Sequence, residues 1–149
     1  MNITDVFHFN VNCSDFDRSR AFYEALGFRV VWEIPERGTP EIARAVGMPP
    51  YTLRGAILAL AGASTMIDLI EWRDPHDAAP PYPHLYHLGI ARIAFRTTDL
   101  EADLAALRSL GAEIVAEPAT VAGLGGGGTR FVCFKDPDGT VLELVQVLD

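Results

Sequence analysis

Four side chains have the types and the placement to do chemistry: His8, Asp68, Arg92 and Glu143. One imidazole, one guanidinium and two carboxylates can hold a cation, clamp an anion or neutralise one another. Asp68 stands between Ile67 and Leu69, and Glu143 between Leu142 and Leu144. A carboxylate in apolar surroundings is costly unless it is paired or bound to a metal.

The elements that must position these four come from an internal repeat. Asp15 follows His8 by seven residues, and Asp99 follows Arg92 by seven. Gly27 then follows Asp15 by twelve, as Gly111 follows Asp99. Each half closes on a short strand, Ile67-Asp68-Leu69-Ile70 in the first and Leu142-Glu143-Leu144-Val145 in the second. Each half decodes as strand, helix and three further strands, a βαβββ module.

Opening strands are expected over Asp5 to Cys13 and Ile90 to Thr97. Asp15 in one half, and Thr98 with Asp99 in the other, can accept from the free N–H groups of a first helical turn. Leu100, Leu104, Leu107 and Leu110 recur at three- and four-residue spacing, so they define one apolar helix face. Phe22, Ala25 and Leu26 are expected to do the same in the first helix. Gly27 and Gly111 fall where a helix ends on positive φ. The last two strands, Arg130 to Phe134 and Thr140 to Val147, meet through Asp136-Pro137-Asp138-Gly139, strong turn chemistry.

The first half carries an insertion between Ile34 and Tyr51. Thr39 as cap, Pro40 at the first turn and Gly47 as stop define a short helix from Glu41 to Val46, placed as a lid or as a plain surface excursion. Strand alternation sorts the opening strands. Phe7, Phe9 and Val11 share a helix-facing side, with His8, Asn10 and Asn12 opposite; Ile93 and Phe95 likewise oppose Arg92, Ala94 and Arg96. Asp68, Ile70 and Trp72 share one side of their strand. Two inward-curving sheets packed together would gather the four reactive positions into one cup.

Twelve Lys and Arg stand against 20 Asp and Glu, a formal charge of −8, which argues against nucleic acid and anionic membranes as partners. No stretch is apolar for long enough to span a bilayer, and no signal peptide is visible. Cys13 and Cys133, far apart and outside any CxxC spacing, read as free thiols in a reducing, cytoplasmic compartment. The glycine run from Gly125 to Gly128 lacks the Lys-Ser/Thr and helix of a phosphate cradle, so no nucleotide cofactor is expected.

Three stretches carry a family resemblance: HFNVNCSDFDRSRAFYEALG from His8, RIAFRTTDLEADLAALRSLGAEI from Arg92, and FKDPDGTVLELVQ from Phe134. They resemble the glyoxalase/bleomycin-resistance/dioxygenase proteins, the vicinal-oxygen-chelate superfamily. The resemblance implies an α+β fold of two βαβββ modules in pseudo-twofold repeat, forming a cupped mixed sheet. Residues 1–149 would be one domain, with module one about 1–74, a linker about 75–87 and module two about 88–149. In metal-dependent members the first residue of each opening strand and one residue of each closing strand hold a divalent ion. Those positions are His8, Asp68, Arg92 and Glu143 here. His8 and Glu143 are of the usual types, and Asp68 is a shorter stand-in for Glu or Gln. Arg92 replaces the usual His, and a guanidinium that never deprotonates cannot ligate a cation. An extradiol dioxygenase, which needs that second His, is disfavoured.

Three arrangements follow. His8, Asp68 and Glu143 hold a divalent metal with Arg92 as an anion clamp, as a lyase or isomerase acting beside a carbonyl would require. Alternatively Arg92 replaces the metal, neutralises Asp68 and Glu143, and the cup binds a small molecule against Trp72, Ile70 and Val145. Thirdly, His84 or His87 restores a fourth ligand. Arg92, Asn10, Arg96 and Trp72 are the expected substrate-binding residues, for a ligand with an acidic group and an apolar or aromatic body. Glu33 and Glu71 are the visible candidates for a general base, although alternation puts Glu71 opposite Asp68. A ligand-free scaffold is the reading from a different class, and the resemblance implies a homodimer.

Overall fold

The structure, a computed structural model, describes residues 1–123 and 127–149. It divides into two compact units, Met1–Ala79 and Pro80–Asp149. The first contains β1 (His8–Asn12), α1 (Phe16–Ala25), β2 (Arg29–Ile34), α2 (Pro40–Ala45), β3 (Thr52–Ala59) and β4 (Met66–Asp74). The second contains β5 (Ile93–Arg96), α3 (Leu100–Ser109), β6 (Ala119–Val121), β7 (Gly128–Lys135) and β8 (Val141–Leu148). Each unit holds one four-stranded mixed sheet, in the orders β1-β4-β3-β2 and β5-β8-β7-β6. The opening strand runs parallel to the closing strand in both, and the other pairings are antiparallel. With α2 as the insertion, each unit is a βαβββ module.

The repeat holds at the level of register. Asp68 pairs with Asn10 on β1 and Ile57 on β3, and Glu143 pairs with Ala94 on β5 and Cys133 on β7. The two carboxylates therefore occupy equivalent places in their sheets.

Each helix is fastened to its sheet by the same devices. The Asp15 carboxylate accepts from the Arg18 N–H and that of Asp99 from the Ala102 N–H, both at 3.0 Å. Glu71 Oε2 accepts from the Phe16 N–H at 3.2 Å, and Gln146 Oε1 from the Leu100 N–H at 3.1 Å. A closing-strand side chain thus satisfies one orphan donor of the first helical turn in each half. Arg54 on β3 pairs with Asp17 of α1 at 2.6 Å, and Arg130 on β7 with Glu101 of α3 at 2.5 Å. Gly27 and Gly111 end the helices at φ +100 and +73.

The cores lie where the alternating strand faces meet the helices. In the first unit Phe16, Tyr23, Leu58, Ile67 and Leu69 are buried, and in the second Leu100, Leu104, Leu107, Phe134 and Leu142. Each such side chain contributes on the order of 1.5–3 kcal/mol through burial. The turn between β7 and β8 is built as its residues require: Asp136 Oδ1 accepts from the N–H groups of Asp138 and Thr140 at 3.0 and 2.8 Å.

Several sequence expectations need correction. The buried stripe of α1 is Phe16, Ser19 and Tyr23, whereas Phe22 and Leu26 are half-buried and Ala25 is exposed. The small polar Ser19 hides the true phase of the helix. Leu110 is exposed because α3 ends one residue earlier, and Asp99 alone is its N-cap. Phe7 precedes β1 and is exposed. The insertion helix is Pro40–Ala45, capped by Thr39, one residue displaced from the expected span. Of the glycine run, Gly125 and Gly126 lie outside the described residues. Gly128 begins β7 at φ +127, where a Cβ would fall 2.6 Å from the Val121 carbonyl oxygen, so close approach of β6 requires a glycine there. Among the described residues no helix is long and apolar enough to cross a membrane.

Candidate functional site

In the first unit, His8, Asn10 and Asn12 share the β1 face opposite the helix, and the register sets Asp68 beside Asn10. The Asn10 amide donates to Asp68 Oδ2 at 3.0 Å, and His8 Nε2 lies 4.0 Å from the same oxygen. The other oxygen, Asp68 Oδ1, is buried and has no hydrogen-bond partner. Burial pushes the Asp68 carboxyl above the usual 3.8, with His8 and the Asn10 hydrogen bond acting in the opposite direction.

Further along β4, the Trp72 indole N–H donates to Asn12 Oδ1 at 2.9 Å. The Tyr51 ring meets Trp72 edge-on, with centroids 5.2 Å apart at 79°. A Cβ on Gly38 would fall 2.2 Å from the Tyr51 ring, so the chain leading into α2 rests directly on that ring. Trp32 lies on the same face of this sheet, through its pairing with Ile57 and the pairing of Ile57 with Asp68. It is 56% exposed. Sequence reasoning missed Trp32 and Tyr51. A bulge between Val30 and Trp32 shifts the alternation of β2, so only the register identifies the face of Trp32.

In the second unit Arg92 lies just before β5, one residue outside the strand, because pairing with β8 begins only at Ile93 and Leu142. Its side chain still reaches the sheet: Arg92 Nε is 2.5 Å from Glu143 Oε2. Glu143 is buried, and the Cys133 thiol donates to the same Oε2 at 3.6 Å. Burial pushes the Cys133 thiol up, reinforced by the Glu143 charge and opposed by Arg92. Cys133 is a further residue that sequence reasoning left without a role; its place became readable only from its pairing with Glu143.

Arg96 follows on β5 and is exposed. His84 and His87 are exposed and stacked, His84 on Tyr86 at 4.8 Å and His87 on Tyr82 at 4.7 Å. Glu71 faces the helix and holds the Phe16 N–H, while Glu33 pairs with Arg20 at 3.3 Å. Both carboxylates are engaged with α1, on the side away from Asp68.

The divalent ion implied by the family resemblance fits these residues poorly. Among the described residues no three His, Cys, Asp or Glu side chains gather as a metal would need. The one carboxylate of the second unit at a ligand position already has a guanidinium against it, and a fixed positive charge beside a cation opposes its binding. Asp68 Oδ1 is the only feature of the donor set that invites a cation.

Comparison with known proteins follows the same lines. Residues 5–144 match the Glyoxalase/Bleomycin resistance protein/Dioxygenase superfamily. The uncharacterized protein YwkD of Bacillus subtilis is 32% identical over 154 residues, spanning 98% of this chain and 99% of that protein. A glyoxalase family protein from Bacillus cereus superposes with a TM-score of 0.80, covering 100% of this chain and 99% of its own, at 18% identity, a likeness of fold. TnmS3, an antibiotic binding protein from Streptomyces sp. CB03234, superposes with a TM-score of 0.67 at 29% identity, with 99% of each chain covered. The paired modules, their register and the match along nearly the whole length agree: this chain belongs to the Glyoxalase/Bleomycin resistance protein/Dioxygenase superfamily.

Proposed function

We propose that the protein binds a small organic molecule, and that Arg92 stands in place of the metal used by metal-dependent members of its superfamily. The observation that carries this reading is the ion pair between Arg92 Nε and Glu143 Oε2 at 2.5 Å. It supplies internally the positive charge that a divalent ion would bring to a buried carboxylate. Asn10 and Trp72 in the first unit, with Arg92 and Arg96 in the second, are the residues proposed to contact ligand, the arginines favouring an acidic group. The likeness to an antibiotic binding protein supports a role in binding. Thermal-shift screening with small organic acids and aromatic compounds tests the reading. A ligand at a hundredfold excess over its Kd stabilises by about 2.7 kcal/mol, and no stabilisation by any compound would favour a ligand-free scaffold.

A second reading rests on the orphaned Asp68 Oδ1. His8, Asp68 and Glu143 would hold a divalent ion, as a lyase or isomerase requires, with Arg92 displaced from Glu143. Metal content separates the two readings. The proposal also takes the chain as a single cytoplasmic domain forming a homodimer, on the strength of family likeness, and sedimentation velocity tests the dimer.

A further inference from the structure

The register of the second unit sorts its sheet face opposite α3 into rows. One row holds Ala94, Glu143 and Cys133, and the next runs straight across four strands: Arg96 on β5, Val145 on β8, Phe131 on β7 and Ala119 on β6. Leu142, Leu144, Val132 and Phe134, which alternate with these residues, form the buried core against α3. In the second row Arg96 is exposed, and Val145 and Phe131 are half-buried. Ala94 beside Arg96 and Ala119 beside Phe131 are short, so neither screens its neighbour.

Arg96 differs from every other cation of its unit. Arg92, Arg108, Arg130 and Lys135 each have a carboxylate oxygen at 2.5–3.1 Å. Among the described residues Arg96 has none, and residues 124–126, Leu-Gly-Gly, carry no carboxylate. The chain has 20 Asp and Glu against 12 Lys and Arg, so carboxylates are not in short supply.

The charges on this face decide what Arg96 can take. Arg92 and Glu143 cancel one another, and Glu113 meets the charge of Lys135. One positive charge is left, on a planar fork whose N–H groups match the two oxygens of a carboxylate. Glu143 stands one row away and repels a second anionic group placed there. Val145 and Phe131 continue the row as an apolar surface with an aromatic end. Strands lie about 4.8 Å apart, so the backbone of Phe131 is roughly 10 Å from that of Arg96.

We infer that this face binds a monoanionic acid with an aryl body, its carboxylate on Arg96 and its ring carried across Val145 to Phe131. The inference rests on the reading that the protein binds a small organic molecule. It assigns the acidic group to Arg96 alone, with Arg92 held by Glu143.

Isothermal titration calorimetry of the full chain at neutral pH tests this with 4-phenylbutyrate, its neutral amide and the dianion (2-phenylethyl)malonate. The expected result is that the acid binds about tenfold more tightly than the amide, the worth of one charge-assisted hydrogen bond. The dianion should bind no more tightly than the monoanion. Arg96→Gln should abolish the preference for acid over amide, and Phe131→Leu should weaken both by roughly threefold. Arg96 is exposed, so its substitution leaves the fold intact, and circular dichroism checks Phe131→Leu. Equal affinities for acid and amide, or much tighter binding of the dianion, would overturn the inference. A preference that persists in Arg96→Gln would overturn it and leave the broader reading standing, with the acid held elsewhere. If neither aryl compound binds at millimolar concentration the inference fails. A thermal shift by any other small molecule would then keep the broader reading, and no shift by any would remove both.

Discussion

Arg92 Nε lies 2.5 Å from Glu143 Oε2, and Glu143 is 7% exposed. The pair joins the residue just before one edge strand to the neighbouring strand, and it neutralises a buried carboxylate of the second unit. Removing only the guanidinium leaves that carboxylate uncompensated. Arg92→Leu should therefore destabilise the protein by about 1–3 kcal/mol. Arg92→Leu combined with Glu143→Leu should recover most of the loss, since an apolar pair in such a place is often as stable as an ion pair. Urea denaturation of the single and double variants measures this, and a double variant as unstable as the sum of its parts would argue against the pairing.

Asp68 has the opposite problem, a carboxylate without enough partners. Burial raises its pKa above 3.8 in the folded state. The folded protein thus holds this proton more tightly than the unfolded chain does. The resulting stability is fully present below the unfolded value and is lost as pH rises through the folded value. Asp68→Asn should stabilise the ligand-free protein at neutral pH, and its advantage should vanish as pH falls below 3.8. Denaturation midpoints across that range, compared between the two proteins, decide the point.

The repeat makes paired predictions about the helix ends. Glu71 and Gln146 hold the Phe16 and Leu100 N–H groups at 3.2 and 3.1 Å. Glu71→Ala and Gln146→Ala should each cost about 1 kcal/mol, as losses of helix-end partners do. Glu71→Gln should cost less, because the amide oxygen still accepts. A general base at Glu71 would instead make Glu71→Gln inactive in any assay that detects turnover, with stability nearly unchanged.

Cys133 is half-buried beside a carboxylate, and both burial and that charge hold its thiol protonated. Cys13 is buried as well, and neither is in a disulfide. Both thiols should react slowly with Ellman's reagent at neutral pH in the native protein and fully after denaturation in urea. Rapid native-state reaction of Cys133 would mean that the Arg92 charge outweighs the other two influences.

Much of this fold was readable from residue spacing, because the two halves repeat the same positional demands. Asp15 and Asp99 as caps, Gly27 and Gly111 as stops and Asp136-Pro137-Asp138-Gly139 as a turn each follow from local chemistry acting on a few adjacent residues. The repeat nominated both Arg92 and Glu143, and one of the three arrangements read from the sequence had Arg92 neutralise Asp68 and Glu143 together; the ion pair found is the one with Glu143. The reach of Trp32 was not readable. One bulged residue in β2 reverses the alternation beyond it, and no residue type announces a bulge there. The phase of α1 was lost for a related reason: Ser19 sits in the buried stripe, where a polarity pattern expects an apolar side chain. Tyr51 was read only as the end of an insertion, because its ring partner Trp72 lies on β4, distant in sequence, and the loop at Gly38 closes onto the ring only once the chain is folded.

The central claim, that Arg92 stands where a metal would act, is tested most directly by elemental analysis. Tag-free protein is dialysed in turn against Ni, Co, Mn, Zn and Fe(II), alongside His8→Ala and Arg92→His. The expected result is far less than one ion per chain in the wild type and in His8→Ala, with a clear gain in Arg92→His, where an imidazole joins the freed Glu143 carboxylate and the Cys133 thiol. Near one ion per wild-type chain, lost in His8→Ala, would contradict the claim and establish His8 as a metal ligand despite the arginine.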